Sequence, residues 1–175
     1  CNDWQTALTP VYYSLFYANR EGFENIKTVF TIHNIQYQGK YGHEILNEVV
    51  GLSPEEARYV EYDDCVNYMK GAIECANKIT TVSPTYAKEI LDPWYSYGLD
   101  GILRDREWKL QGILNGIGTD IYDPQTDPAI YAHYSAEDLS GKAVNKKCLQ
   151  EEMNLPTRPE VPMLSIVSRL VAHKG

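Results

Sequence analysis

DCVNYMKGAIECANKITTVSPTYAKEIL, residues 64–91, decides the fold. Val66, Met69, Ala72, Ile73 and Ala76 recur at spacings of three and four, the period of one apolar helix face, so an amphipathic helix is expected over residues 64–76. It feeds into KITTV, residues 78–82, a short run rich in β-branched side chains that reads as a buried strand. Ser83 follows as an N-cap, since its side-chain oxygen can accept from an orphan backbone N–H. Pro84 sits in the first turn, where the missing N–H does no harm, and the helix runs through Leu91. Helix, strand, cap, helix is the repeating pattern of an α/β sheet.

The alternation continues on both sides. Residues 6–18 read as a helix that buries Ala7, Leu8, Val11, Leu15 and Phe16, with Pro10 confining its start. KTVFTI, residues 27–32, reads as a second buried strand, and residues 110–114 as a third that ends at Asn115-Gly116. Residues 118–128 are rich in Gly, Pro, Asp and Thr and read as a connecting segment. A helix over residues 140–153, a turn at 156–162 and a fourth strand over residues 163–167 complete the pattern. The expected fold class is α/β with a parallel sheet. Parallel strands are normally covered on both faces, and this last strand has no helix after it, so the chain reads as part of a larger protein.

Composition narrows the functional classes. With 175 residues, 43% hydrophobic and 23% charged, the chain is long enough for one sizeable core and is not a disordered type. Lys and Arg number 16 against 24 Asp and Glu, a net charge of −8 that repels nucleic acid and anionic membrane, so an anionic ligand needs a local cationic site. Apolar runs fall far short of the roughly 20 residues that cross a bilayer, and no basic stretch ahead of an apolar one reads as a targeting segment. Four cysteines without C-x-x-C spacing point to a reduced, cytoplasmic compartment, and four histidines without zinc spacing predict no bound metal. Oligomeric state leaves no trace in the sequence.

Polar residues fall where the strands end: His33-Asn34, Ser83, Asn115-Gly116 and Ser168-Arg169. Open parallel sheets bind ligands outside the carboxyl ends of their strands, which makes these residues candidates. Each also has a plainer use. His33 can simply tie down a loop through a backbone carbonyl, Asn34 and Asn115 suit turns, and Asp3 and Trp4 suit a helix cap and a core anchor. Arg169 and Lys174 read either as a solvated basic patch or as a guanidinium fork plus an ammonium, the pairing that diphosphate recognition uses. Tyrosine dominates the aromatics, 14 against three Trp and three Phe; such rings suit sugar stacking, although most serve packing.

NDWQTAL (residues 2–8), VFTIHNIQYQG (29–39), TTVSPTYA (80–87), YGLDGIL (97–103), GILNGI (112–117) and VSRL-x-x-x-KG (167–175) together resemble bacterial glycogen synthase and plant starch synthase, in that family's order and spacing. The resemblance implies a GT-B glycosyltransferase, in which two Rossmann-like domains face each other across a cleft. Such an enzyme transfers glucose from ADP-glucose to the non-reducing end of an α-1,4-glucan with retention, and needs no cofactor beyond that donor. Residues 1–112 then correspond to the second half of the N-terminal domain, and residues 113–175 to the hinge and the opening of the nucleotide-binding C-terminal domain.

On the same resemblance, His33 sits at the reacting glucose, where it orients hydroxyls and favours positive charge through a nearby backbone carbonyl. Arg169 and Lys174 grip the ADP phosphates and stabilise the leaving group. Asp3, Trp4, Asn34 and Tyr37 line the acceptor and sugar side, and Asn115 the hinge. Gly118 stands where the family has Asp, and Tyr122 where it has Trp. The alternatives are a glucan-binding remnant without turnover, or another GT-B enzyme such as sucrose synthase or a phosphorylase-like protein; TIHN-x-x-YQG (residues 31–39) argues against both. The family's Lys-Thr-Gly-Gly loop and its glutamate-bearing segment are not in this chain. The isolated 175 residues are therefore expected to transfer no glucose from ADP-glucose to glycogen, and detectable transfer in a radiolabel assay refutes that.

Overall fold

In the computed structural model, which describes residues 1–170, the expected first helix is divided. A 3-10 turn at Trp4–Thr6 leads into α1 (Leu8–Tyr12), which widens into a π-helical turn at Tyr13–Tyr17. Pro10 lies in the first turn of α1, where no intrahelical N–H is required. Strand β1 (Val29–Ile32) buries Phe30 and Ile32 and turns Val29 and Thr31 the other way, the two-residue alternation of a pleated strand.

Next come β2 (Lys40–Tyr41), α2 (Ile45–Glu48), β3 (Glu61–Tyr62) and β4 (Cys65–Asn67). Strands β3 and β4 form a tight hairpin, with Tyr62 opposite Cys65. Asp63 and Asp64 between them both have positive φ, 51° and 56°, the backbone geometry of a two-residue loop whose twist suits its strands. Strand β4 also pairs antiparallel with β2, giving a small sheet in the order β2-β4-β3. Residues 65–67, expected as the start of a helix, are spent on this sheet. Helix α3 (Tyr68–Cys75) begins one residue later, capped by Asn67, whose side chain accepts from Lys70 N–H at 3.0 Å.

Strand β5 (Lys78–Thr81) and helix α4 (Pro84–Glu89) follow the sequence reading closely. Ser83 Oγ accepts from Tyr86 N–H at 2.9 Å, and Pro84 opens the helix. Helix α5 (Asp100–Asp105) and strand β6 (Leu110–Gly112) complete a parallel sheet in the order β1-β5-β6. Asn2 adds a parallel bridge to Thr31 on the far side of β1. The core joins Phe30, Ile32 and Ile79 of this sheet to Met69, Ala72, Ile73 and Ala76, and to Ile90, Leu99, Ile102 and Leu103. Each of the Phe, Ile, Leu and Met side chains among them contributes roughly 1.5–3 kcal/mol on burial. All four cysteines are free, and burial pushes the Cys75 thiol up to about 11.

The chain divides into two compact units, Cys1–Asn115 and Gly116–Gly175. Everything so far lies in the first. The second is organised by α6 (Ser140–Glu152), where Gly141 meets the backbone of His133 and Lys146 Nζ donates to the carbonyls of Arg158, Pro159 and Val161. The fourth strand expected at residues 163–167 does not form. A strand is defined by its ladder, and no described residue pairs with this segment, so Leu164, Ile166 and Val167 remain almost fully exposed.

Gly112 touches the start of α4 closely enough that a Cβ there would stand 2.2 Å from the Ser83 carbonyl oxygen. Gly112→Ala is expected to destabilise the first unit by about 2 kcal/mol and Ser83→Ala by about 1 kcal/mol, both read as lowered urea midpoints. An unchanged midpoint for Gly112→Ala contradicts this close approach.

Candidate active site

Beyond Ile32 the chain leaves the β-ladder, yet each successive amide finds an oxygen. His33 N–H donates to Asp3 Oδ1 at 2.8 Å and Asn34 N–H to the same atom at 3.3 Å. Ile35 N–H donates to Tyr86 Oη at 3.1 Å, Gln36 N–H to Asn34 Oδ1 at 3.0 Å and Tyr37 N–H to the Asn34 carbonyl at 3.3 Å. Asn34 thus forms the turn its residue type favours. Asp3 was open to reading as a helix cap, but its side chain makes no cap hydrogen bond and is committed to the loop instead.

The strand edge places that carboxylate. Thr31 N–H donates to the Cys1 carbonyl at 2.8 Å and Asp3 N–H to the Thr31 carbonyl at 2.9 Å, which fixes Asp3 alongside β1. Thr6 Oγ1 accepts from Asn2 N–H at 2.6 Å and donates to the Asn2 carbonyl at 2.8 Å. Asp3 adopts φ 51°, a left-handed conformation that costs a non-glycine residue about 1–3 kcal/mol and persists only because these bonds hold it.

The His33 ring is exposed, with Nε2 2.9 Å from Asn2 Oδ1. Trp4 packs on Gly39, where a Cβ would come within 2.9 Å of Cε3 of the indole, and φ +67° at Gly39 further favours glycine. Tyr41 lies 6.4 Å from Trp4 between ring centroids and 5.1 Å from Tyr68. Tyr37, on the same loop, is 54% exposed. Behind the loop the buried Gln38 donates from Nε2 to the Tyr97 carbonyl at 3.1 Å and accepts from Asn67 Nδ2 at 2.7 Å.

Of the candidates, Asp3, His33 and Asn34 are joined by direct hydrogen bonds, while Trp4 and Tyr37 are carried on the same two segments. Asn115 is exposed at the last residue of the first unit and shares no hydrogen bond with this group among the described residues. Arg169 belongs to the second unit, exposed in a segment without regular structure. Lys174 lies outside the described residues. Three residues that hold the loop escaped the sequence reading: Asn2, Thr6 and Tyr86. Burial raises the Tyr86 phenol above its usual value, against an opposing effect of the Ile35 amide, so the phenol stays protonated at neutral pH. Among the described residues no group of three or more His, Cys, Asp and Glu could hold a metal ion.

A parallel sheet with a fixed polar loop outside the carboxyl end of a strand belongs to the Rossmann-like class, which uses that position for ligands. The family model for the starch synthase catalytic domain matches residues 1–105, and the chain belongs to that family. The glycogen synthase of Streptococcus mutans serotype c is 47% identical over 176 residues, 99% of this chain and 37% of that protein. The glycogen synthase of Clostridium acetobutylicum is 46% identical over 179 residues, 100% of this chain and 37% of that protein. The catalytic domain of starch synthase IV from Arabidopsis thaliana, solved with ADP and acarbose bound, matches at a TM-score of 0.73 and 38% identity, covering 90% of this chain and 33% of that one. The fold class is therefore that of the GT-B glycosyltransferases, and the chain spans little more than a third of the length of the relatives it matches.

Tyr86→Phe removes the acceptor of the Ile35 amide. Exchange of that amide is expected to quicken about tenfold, as for a hydrogen bond worth roughly 1.4 kcal/mol, with the β5 amides unchanged; an unchanged Ile35 rate shows that Tyr86 does not hold the loop.

Proposed function

We propose that this chain is a segment of a glycogen (starch) synthase that transfers glucose from ADP-glucose to the non-reducing end of an α-1,4-glucan with retention of configuration. The observation that carries the reading is the loop after β1, which lies within the span matched by the starch synthase family model and whose bonded amides leave the His33 and Tyr37 side chains exposed. The names of its relatives, and the ADP and acarbose bound to the Arabidopsis protein, support the donor and glucan classes. Residues 1–112 then form the second half of the sugar-facing domain, and residues 113–175 the hinge and the opening of the nucleotide domain. Four free cysteines and the lack of any described helix long and apolar enough to cross a membrane support a cytoplasmic site of action.

In this reading His33 hydrogen-bonds the hydroxyls of the reacting glucose, while Asp3, Trp4, Asn34 and Tyr37 shape the sugar side and Asn115 the hinge. Arg169 and Lys174 bind the diphosphate. As the glycosidic bond to ADP breaks, negative charge grows on the leaving phosphate, and a guanidinium fork with an ammonium already in place stabilises it without reorganisation.

The test is a chimera in which these 175 residues replace the matching span of the Streptococcus mutans glycogen synthase, assayed for glucose transfer to glycogen from ADP-glucose and from UDP-glucose. Transfer from ADP-glucose is expected. His33→Ala and Arg169→Ala should each lower kcat about 100-fold, the scale of losing one preorganised electrostatic contact, whereas Lys27→Ala on the exposed surface should not. A folded chimera without transfer, or equal losses at Arg169 and Lys27, rejects the reading.

A further inference from the structure

The contact between Asn2 and His33 has a chemical direction. An amide oxygen can only accept a hydrogen bond, so with Asn2 Oδ1 2.9 Å from Nε2 the hydrogen of a neutral ring must sit on Nε2. Both partners are held from behind. Asn2 is gripped at its N–H and its carbonyl by the Thr6 hydroxyl, and it bridges to Thr31 on β1. His33 is fixed through its own amide by Asp3 Oδ1 at 2.8 Å. Only the side-chain torsions of the two residues remain free, and the hydrogen bond between them restricts these. Nδ1 of the ring has no hydrogen-bond partner among the described residues.

We propose that Asn2 is a positioning residue for the glucosyl transfer: its side-chain oxygen selects the Nε2–H form of His33, sets the ring plane and leaves Nδ1 as the acceptor for a sugar hydroxyl proton. This rests on the reading of His33 given above. The tautomer of a functional histidine is set by the bond its other nitrogen makes, usually to a backbone carbonyl or a carboxylate. Here a neutral amide does it, while the nearby Asp3 carboxylate is bonded to the backbone amides of His33 and Asn34 rather than to the ring.

The first experiment needs no turnover. In the ¹⁵N-labelled 175-residue chain at about pH 8.5, two units above the ordinary histidine value, long-range proton–nitrogen correlation reads the two His33 ring nitrogens, assigned by their loss in His33→Gln. The wild type and Asn2→Asp, which keeps an acceptor oxygen in place, are expected to show a single Nε2–H pattern. Asn2→Ala should shift both nitrogens toward the averaged positions of free histidine. A wild-type ring already at averaged positions, a ring protonated at Nδ1, or an Asn2→Ala ring that does not move overturns the proposal.

The second experiment uses the chimera. Asn2→Ala is expected to lower kcat about tenfold with KM unchanged, and to add no further loss in a His33→Ala background, because a residue that acts through another has nothing left to act on. Full, additive losses overturn the positioning role and leave the glucosyltransferase reading standing; that reading fails separately if the wild-type chimera transfers no glucose.

Discussion

The amides of residues 33–37 have no neighbouring strand to donate into, and the loop that carries His33 has a fixed shape because oxygens from Asp3, Tyr86 and Asn34 take the place of a ladder. A buried backbone N–H left unpaired costs about 1–3 kcal/mol, a cost that the Tyr86 hydroxyl removes at the buried Ile35. Strain at Asp3 accompanies the same arrangement. Its positive-φ backbone sits where one carboxylate oxygen accepts from two amides of the His33 loop. What the chain gains is a rigid platform from which side chains, rather than backbone, face outward.

That platform has a polar frame behind it. Asn67 belongs to β4, caps α3 through its Oδ1 and donates to Gln38 through its Nδ2, so one buried amide ties the small antiparallel sheet, the central helix and the end of the His33 loop together. At the other end of α3, Lys109 Nζ donates to the carbonyls of Glu74 at 3.0 Å and Ala76 at 2.7 Å, a cation placed where the helix dipole is negative. The Glu74 carboxylate meets Arg106 at 2.5 Å and Lys70 at 3.7 Å, and Lys70 Nζ donates to the Arg58 carbonyl at 2.6 Å. Burial lowers both lysines below their usual value, and the bonds to carbonyls and carboxylate are what make such positions tolerable. Helix α3 is therefore anchored at both ends by hydrogen-bonded polar and charged groups.

Much of this was legible wherever a periodic pattern or a single cap carried the information. KITTV followed by Ser-Pro states a strand, a cap and a helix within seven residues, and β5 and α4 form as that reading requires. The hairpin at residues 61–67 was missed because its turn is Asp63-Asp64 rather than a pair with glycine, and because Val66 also fits the period of the following helix. Residues 163–167 show the opposite error. Their composition is that of a strand, but composition does not supply the partner that makes one. His33, Asn34 and Asp3 were legible as a group only through the family pattern, since contacts across some 30 residues leave no local signature. Tyr86 was hidden for the same reason: its role depends on where α4 places its hydroxyl, not on its neighbours in sequence.

The division of charge follows from these placements. Under the proposed function a chain of net charge −8 binds a sugar diphosphate, which calls for a local concentration of cations at the phosphates. The Asp3 carboxylate, on the proposed sugar side, is engaged through one oxygen by two backbone N–H groups. Asn2 holds the imidazole through a neutral side-chain amide. The sugar side proposed here thus combines an imidazole, amides and one hydrogen-bonded carboxylate, groups that can exchange hydrogen bonds with hydroxyls. In the proposed function, Arg169 and Lys174 are the cations that recognise the phosphates.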